Sequence, residues 1–178
     1  MMRLKSNQRT VFAAGFLTCV FLMAVALYLQ HVVKLEPCPL CILQRIAVIG
    51  IGLALLAGAL HNPGIAGRRV YAGAAMLFAI FGVVVAARHV WLQFTPNRVA
   101  ECGIGLEDMI EMFPLSKTMA LVFRGTGDCS DAQWTFLSLT IPGWMLIVFS
   151  GFIAFAILLA FSRRFAPREP APGSLFLH

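Results

Sequence analysis

The sequence predicts an all-α membrane protein built as a bundle of four transmembrane helices. Hydrophobic residues make up 60% of the chain and charged residues only 12%, whereas a soluble domain carries roughly 25% charged residues. Four apolar stretches are long enough to cross a bilayer, which takes about 20 mostly apolar residues. The 178 residues therefore form one domain, whose helices pack against one another within lipid.

Short polar segments separate the spans, apart from one long connection before the last span. We place the spans at 11–33, 42–60, 70–94 and 142–161. The first could instead be a cleaved signal peptide, because basic residues precede it and Ala24-Val25-Ala26 resembles a cleavage site. We favour a span, since the apolar run continues past that site. The transmembrane domain then covers 1–165, and the proline-rich residues 166–178 form a flexible cytoplasmic tail.

Charge predicts the orientation, because short segments rich in Lys and Arg stay in the cytoplasm. Such residues precede the first span, lie between the second and third, and follow the fourth: Arg3, Lys5, Arg9, Arg68, Arg69, Arg163, Arg164 and Arg168. Both termini are therefore predicted to be cytoplasmic. A short loop at 34–41 and a long loop at 95–141 face the opposite side, together with most acidic residues. The net charge of +6 follows from this topology, so we expect no nucleic-acid partner.

Four of the five cysteines fall in the two outer loops. Cys38 and Cys41 lie in the short loop, Cys102 and Cys129 lie in the long loop, and Cys19 lies within the first span. Disulfides form and persist in oxidising compartments outside the cytoplasm. The outer cysteines are therefore candidates for disulfide chemistry, and Cys19 is predicted to be a small packing residue.

The segment Cys38-Pro39-Leu40-Cys41 lies where the second helix begins. The spacing lets the two sulfurs meet, the helix N-terminus favours a thiolate, and a proline is tolerated in the first turn. Such a pair is typical of a redox or a metal site. Arg45 shares a helical face with Cys41 and would favour its thiolate. It could instead extend to lipid head groups, but as the only charge in its span it is more typical of a functional residue.

The second outer pair, Cys102 and Cys129, has two alternative roles. A structural disulfide across this long loop would stabilise it by roughly 3 to 4 kcal/mol. A redox role gains weight from the first pair, since two dithiols on one side can pass a disulfide between them by thiolate exchange. In the same loop, residues 106–113 show the spacing of a short amphipathic helix, lying either on the membrane surface or against the bundle.

The outer end of the third span carries Arg88, His89 and Gln93. His89 and Gln93 are four residues apart and share a helical face. A histidine at a membrane boundary is often an interfacial packing residue, and Arg88 could extend to the head groups. This end must nevertheless approach the surface where Arg45 lies, so we predict a shared polar pocket.

The chain as a whole resembles the bacterial disulfide bond formation protein B (DsbB) family, the quinone reductases of the inner membrane. The matching segments are Pro37-Cys38-Pro39-Leu40-Cys41 with Arg45, His89 with Gln93 ahead of Cys102, Phe113-Pro114-Leu115, and Gly127-Asp128-Cys129 with Gln133-Trp134. The chain differs from one relative at Gln44 and Arg88, where that relative has acidic residues.

The resemblance implies an inner-membrane oxidoreductase that sustains protein disulfide formation. Its partner would be a periplasmic thioredoxin-like dithiol oxidase of the DsbA type, and its electron acceptor would be ubiquinone or menaquinone from the membrane pool. The partner thiolate would attack the Cys102–Cys129 disulfide at Cys102. The released Cys129 would then exchange with Cys38, leaving Cys41 as a thiolate beside the quinone.

The resemblance also implies a quinone site formed by Arg45, His89 and Gln93. Arg45 would hold the Cys41 thiolate and polarise a quinone carbonyl, and apolar walls would hold the ring and its isoprenoid tail. The alternative is a soft-metal transport or handling protein that uses Cys38, Cys41 and His89 as ligands. The sequence has no loop rich in Met or His to deliver such a metal, so we expect no bound metal.

Overall fold

A computed structural model describes residues 8–35, 37–94, 135–136 and 139–162 of the chain. Four helices dominate it: α1 (Gln8–His31), α2 (Pro39–His61), α3 (Ile65–Phe94) and α4 (Ile141–Phe161). A small antiparallel hairpin precedes α4, in which β1 (Thr135–Phe136) pairs with β2 (Leu139–Thr140). All four helices are long and apolar enough to cross a membrane, which confirms the predicted four-helix membrane fold.

The helices begin and end at residues whose backbone preferences explain the boundary. Cys38 caps α2 in an extended conformation, and Pro39 occupies the first turn, where its missing N–H is not needed. At the other end Asn62 adopts a left-handed conformation (φ 42°, ψ 56°) and donates its N–H to the carbonyl of Gly58. Asparagine is among the few residues that tolerate this conformation, so α2 turns directly into α3.

Consecutive helices pack against each other, and the packing depends on small residues. α1 packs on α2, α2 on α3 and α3 on α4, whereas within the described part of the chain α1 and α4 approach only sparsely. Gly58 lies against the ring of Phe12, and Gly82 against the ring of Phe149; both rings are fully buried. In lipid, helices associate through such close packing rather than through the hydrophobic effect.

Large apolar side chains dominate the outward face of each helix. Large side chains such as Leu53, Leu77 and Leu158 are more than half exposed, and residues 8–35, 37–94, 135–136 and 139–162 include no Asp or Glu. Cys19 lies inward, 4% exposed and packed against Gly52. The exposed surface is therefore the part of the molecule that lipid covers.

Several sequence predictions concern residues outside those that the structure describes. They are the Cys102–Cys129 pair, the amphipathic helix at 106–113 and the tail at 166–178. The remaining candidate residues, Cys38, Cys41, Arg45, His89 and Gln93, all lie within the described helices and their caps.

Candidate functional site

The two cysteines of the short loop meet at the N-terminus of α2. Cys38 is the capping residue and Cys41 lies in the first turn, and their Sγ atoms are 3.4 Å apart. Cys38 is 7% exposed and Cys41 is half-buried. A disulfide would require about 2.05 Å between the sulfurs, so the structure holds a dithiol whose two sulfurs are already in contact. The positive end of the α2 dipole faces this pair.

His89 of α3 lies directly beside the dithiol. Its Nε2 is 3.7 Å from the Sγ of Cys38, and its Nδ1 is 3.4 Å from the Nε2 of Gln44. Both His89 and Gln44 are 3% exposed. The imidazole is thus fixed between a thiol on one side and an amide on the other.

Arg45 extends in a different direction, towards α1. Its guanidinium donates hydrogen bonds to the Oε1 of Gln30 and, at 3.3 Å, to the carbonyl oxygen of Ala26. A cation inside a span is energetically unfavourable unless polar groups surround it. The two α1 acceptors therefore hold the charge at a defined position one helical turn from Cys41.

A cavity of about 110 Å³ lies between α1, α2 and α4 on the side where α1 and α4 are in sparse contact. Apolar residues form most of its wall, and four polar or sulfur-bearing residues share it: Gln30, Cys41, Gln44 and Arg45. The apolar residues are Leu22, Met23, Ala26, Leu29, Leu35, Pro37, Val48, Ile141 and Met145. An apolar cavity with a few convergent polar groups is the usual form of a small-molecule site.

The structure divides the predicted site residues between two neighbouring environments. Cys41 and Arg45 line the cavity, whereas His89 contacts Cys38 and lies outside the cavity wall. Gln93 accepts a 2.7 Å hydrogen bond from the hydroxyl of Thr140, the residue that caps α4. The three donor atoms of Cys38, Cys41 and His89 lie within 4.8 Å of one another, which is also a possible metal-binding arrangement.

The site contains two glutamines for which the sequence predicts no role. Gln30 binds Arg45, and Gln44 lines the cavity and binds His89. The sequence indicates both residues only through their amide groups, because a polar side chain inside an apolar stretch needs a buried partner. What the sequence does not give is the identity of that partner, which depends on how the helices pack.

Fold and site together define a multi-pass membrane protein with a dithiol at one end of a four-helix bundle. The model of the family "Disulfide bond formation protein DsbB" matches residues 8–159. The chain belongs to this family, as the resemblance of its motifs predicted.

Curated relatives named "Disulfide bond formation protein B" support the same assignment. A protein from Azoarcus sp. (strain BH72) is 46% identical over 164 residues, which cover 92% of this chain and 99% of the relative. One from Nitrosococcus oceani is 49% identical, covering 82% of this chain and 87% of the relative. "Disulfide bond formation protein B 1" of Pseudomonas aeruginosa is 44% identical, with 86% and 94% covered. The protein is thus a membrane protein with a redox activity in disulfide bond formation.

Proposed function

We propose that the protein is a dithiol:quinone oxidoreductase that reoxidises a periplasmic DsbA-type thiol oxidase. The observation that carries this proposal is the position of Cys41, which belongs to the dithiol and also lines the lipid-side cavity with Arg45. In the reaction the Cys38–Cys41 dithiol loses two electrons and two protons as the S–S bond forms. The quinone accepts the two electrons and the two protons and leaves as quinol.

The cavity suits a quinone substrate in its shape and in its chemistry. The cavity lies between α1, α2 and α4, where the described parts of α1 and α4 are in sparse contact, so a lipid-soluble molecule would reach it from the side of the bundle. The apolar wall would hold the ring and the isoprenoid tail, and the Arg45 guanidinium would bind a ring carbonyl. Ubiquinone and menaquinone both present these features, and both are candidate acceptors.

The two cysteines have separate roles in this proposal. Cys41 faces the quinone, and Cys38 exchanges with the Cys102–Cys129 disulfide after the partner thiolate has attacked Cys102. Cys38 is buried beside His89, so this exchange requires the segment before α2 to open. Closing of the segment would then return Cys38 to Cys41 and exclude water from the dithiol.

His89 and Gln93, the two predicted site residues of α3, affect the quinone site in different ways. His89 orients and hydrogen-bonds the dithiol, with Gln44 linking the imidazole to the cavity. Gln93 supports the site indirectly, by tying the end of α3 to the cap of α4 through Thr140. This end of α3 thus affects quinone binding indirectly, through the cavity residue Gln44 and through the position of α4.

The test is a steady-state assay with the purified full-length protein, a reduced DsbA-type partner and a short-tailed soluble ubiquinone. We expect quinone reduction that is abolished by Cys41→Ala and retained by Cys19→Ala, because Cys19 is buried in the helix core away from the dithiol. Quinone reduction that survives Cys41→Ala would contradict the proposal.

A second candidate function is the binding of a soft metal, and the close approach of Cys38, Cys41 and His89 favours it. Thiolate and imidazole ligands suit Cu(I) or Zn(II). Rapid alkylation of whole cells separates the two functions, since a redox site yields a Cys38–Cys41 disulfide. A metal site yields reduced thiols that are protected from alkylation until a chelator is added. Membership of the disulfide bond formation family supports the redox function.

A further inference from the structure

Among the residues that the structure describes, Arg68 has no counter-charge, although it is buried, and it lies at the end of the bundle opposite the dithiol. It lies near the start of α3 and is only 3% exposed. Its Nε and Nη1 atoms are buried and have no hydrogen-bond partner in the structure. On α3 it is the first of a series of buried residues that continues through Ala72, Ala75 and Ala79.

This arrangement is unfavourable unless an anion completes it. Arginine remains charged in proteins and carries five donors, and burying an unpaired charge costs far more than burying a paired one. Residues 8–35, 37–94, 135–136 and 139–162 provide no carboxylate. The missing partner must therefore supply both negative charge and oxygen acceptors.

The position of Arg68 indicates which anion this is. Arg68 lies on α3, 21 residues before the His89 that contacts Cys38, or about 32 Å from it at 1.5 Å per residue. Arg68 thus lies at the depth of the head groups on the other face of the membrane. The N-terminus of α3 is next to it, and Arg9 and Arg69 are exposed at the same end. Planar arginine donors and helix N-termini both suit phosphate oxygens.

We propose that Arg68 forms a phosphate-binding site at this end of the bundle, and that the phosphate belongs to a lipid head group. The head group would complete the hydrogen bonding of the guanidinium and hold the α2–α3 turn in place. Free inorganic phosphate presents the same chemistry, and the experiment distinguishes the two sources. The site is separate from the dithiol and does not depend on the proposed quinone reaction.

The test measures thermal unfolding of the full-length protein, purified in a detergent that lacks phosphate groups. Phosphatidylglycerol or inorganic phosphate is then added at equal ionic strength. We expect phosphatidylglycerol to raise the Tm of the wild type by about 5 °C, on the scale of a saturating ligand, and inorganic phosphate to leave it unchanged. Arg68→Met should lose this shift, and the exposed neighbour Arg69→Met is the matched control that should keep it.

The Tm measured without lipid gives a second readout, in which the substitution is expected to have the opposite effect. Because the unpaired charge destabilises the lipid-free protein, Arg68→Met should there have a Tm equal to or above that of the wild type. If Arg68→Met does not fold, Arg68→Lys replaces it, and native mass spectrometry should show less retained phosphatidylglycerol than in Arg69→Lys.

Three outcomes would overturn the proposal. One is a lipid shift of equal size in Arg68→Met and the wild type. Another is an equal shift with inorganic phosphate, which would assign the site to the free ion. The last is a lower Tm of Glu169→Gln than of the wild type in the absence of lipid, which would show that the chain's own tail carboxylate is the partner.

Discussion

At the scale of single residues, the position of Arg45 depends on a helix other than its own. The guanidinium is held by Gln30 and by the carbonyl of Ala26, both on α1. Because the same cation lines the cavity beside Cys41, α1 determines where a bound quinone carbonyl would meet positive charge. The dithiol and the proposed quinone site thus depend on two helices that this polar contact joins.

Gln30→Leu should therefore weaken quinone binding without affecting the thiols. A hydrogen bond to a charged group contributes about 1.5 to 3 kcal/mol, so we expect the quinone KM to rise about tenfold with little change in kcat. The measurement is steady-state quinone reduction at saturating reduced partner. Gln8→Leu is the matched control, because it makes the same chemical change at the opposite end. A KM that is equal in both variants would contradict this role of Gln30.

The residues that the sequence could indicate are those related by spacing along one helix. Cys38, Cys41 and Arg45 share one helix and its cap, so helical periodicity alone predicts their neighbourhood. The contacts of His89 with Cys38 and of Arg45 with Gln30 join different helices and depend on packing that no local pattern contains. Arg68 is similar, since the sequence indicates only a cytoplasmic basic residue and the structure reveals that it is buried.

At the scale of helices, the pairs of glycine and phenylalanine fix how closely the helices approach. A Cβ added at Gly82 would lie 2.5 Å from the Phe149 ring, whereas one added at Gly73 of the same helix would meet nothing within 4 Å. The sequence predicts the four helices from hydropathy and length alone. It does not predict which glycine receives a ring, because that depends on the rotation of each helix about its axis.

The substitution Gly82→Ala should destabilise the bundle by about 1 to 3 kcal/mol, since Phe149 is fully buried and has little room to move. Gly73→Ala is the control in the same helix, and it should be neutral or stabilising by about 0.5 to 1 kcal/mol. Thermal unfolding of both purified variants checks the difference. Equal Tm values would show that the α3–α4 contact can relax around an extra methyl group.

At the scale of the whole molecule, the bundle is more open between its first and last helices than elsewhere. Each helix packs on its neighbour in sequence, but α1 and α4 are in sparse contact, and the cavity lies on that side. A fully closed bundle would separate the dithiol from the lipid. The sparse contact between α1 and α4 would give a membrane-dissolved quinone, the proposed substrate, access to the buried dithiol.

Filling this cavity should block the quinone and leave the partner reaction intact. Ala26→Trp places a bulky ring in the cavity wall, and Ala24→Trp is the control because it faces outward on the same helix. We expect Ala26→Trp to lower kcat/KM for quinone at least tenfold. The rate of a single disulfide exchange between this variant and the reduced partner should equal that of the wild type. Equal quinone kinetics in the two variants would contradict access from this side.

The proposed orientation can be tested on intact membranes. Arg9, Arg68 and Arg69 lie at the end opposite the dithiol, so the positive-inside rule predicts that Cys38 and Cys41 face the periplasm. In spheroplasts that carry the protein with Cys102 and Cys129 replaced by serine, a membrane-impermeant maleimide applied after mild reduction should label the half-buried Cys41 and leave the buried Cys19 unlabelled. Labelling that requires lysis of the cells would reverse the topology.

The most direct test of the central claim is a single anaerobic turnover without the protein partner. Cys102 and Cys129 are replaced by serine, Cys38 and Cys41 are reduced, and one equivalent of short-tailed ubiquinone is added. We expect one quinone to be reduced per protein as the Cys38–Cys41 disulfide forms, with both events at the same rate. Quinone that stays oxidised while the folded protein retains its dithiol would contradict the account.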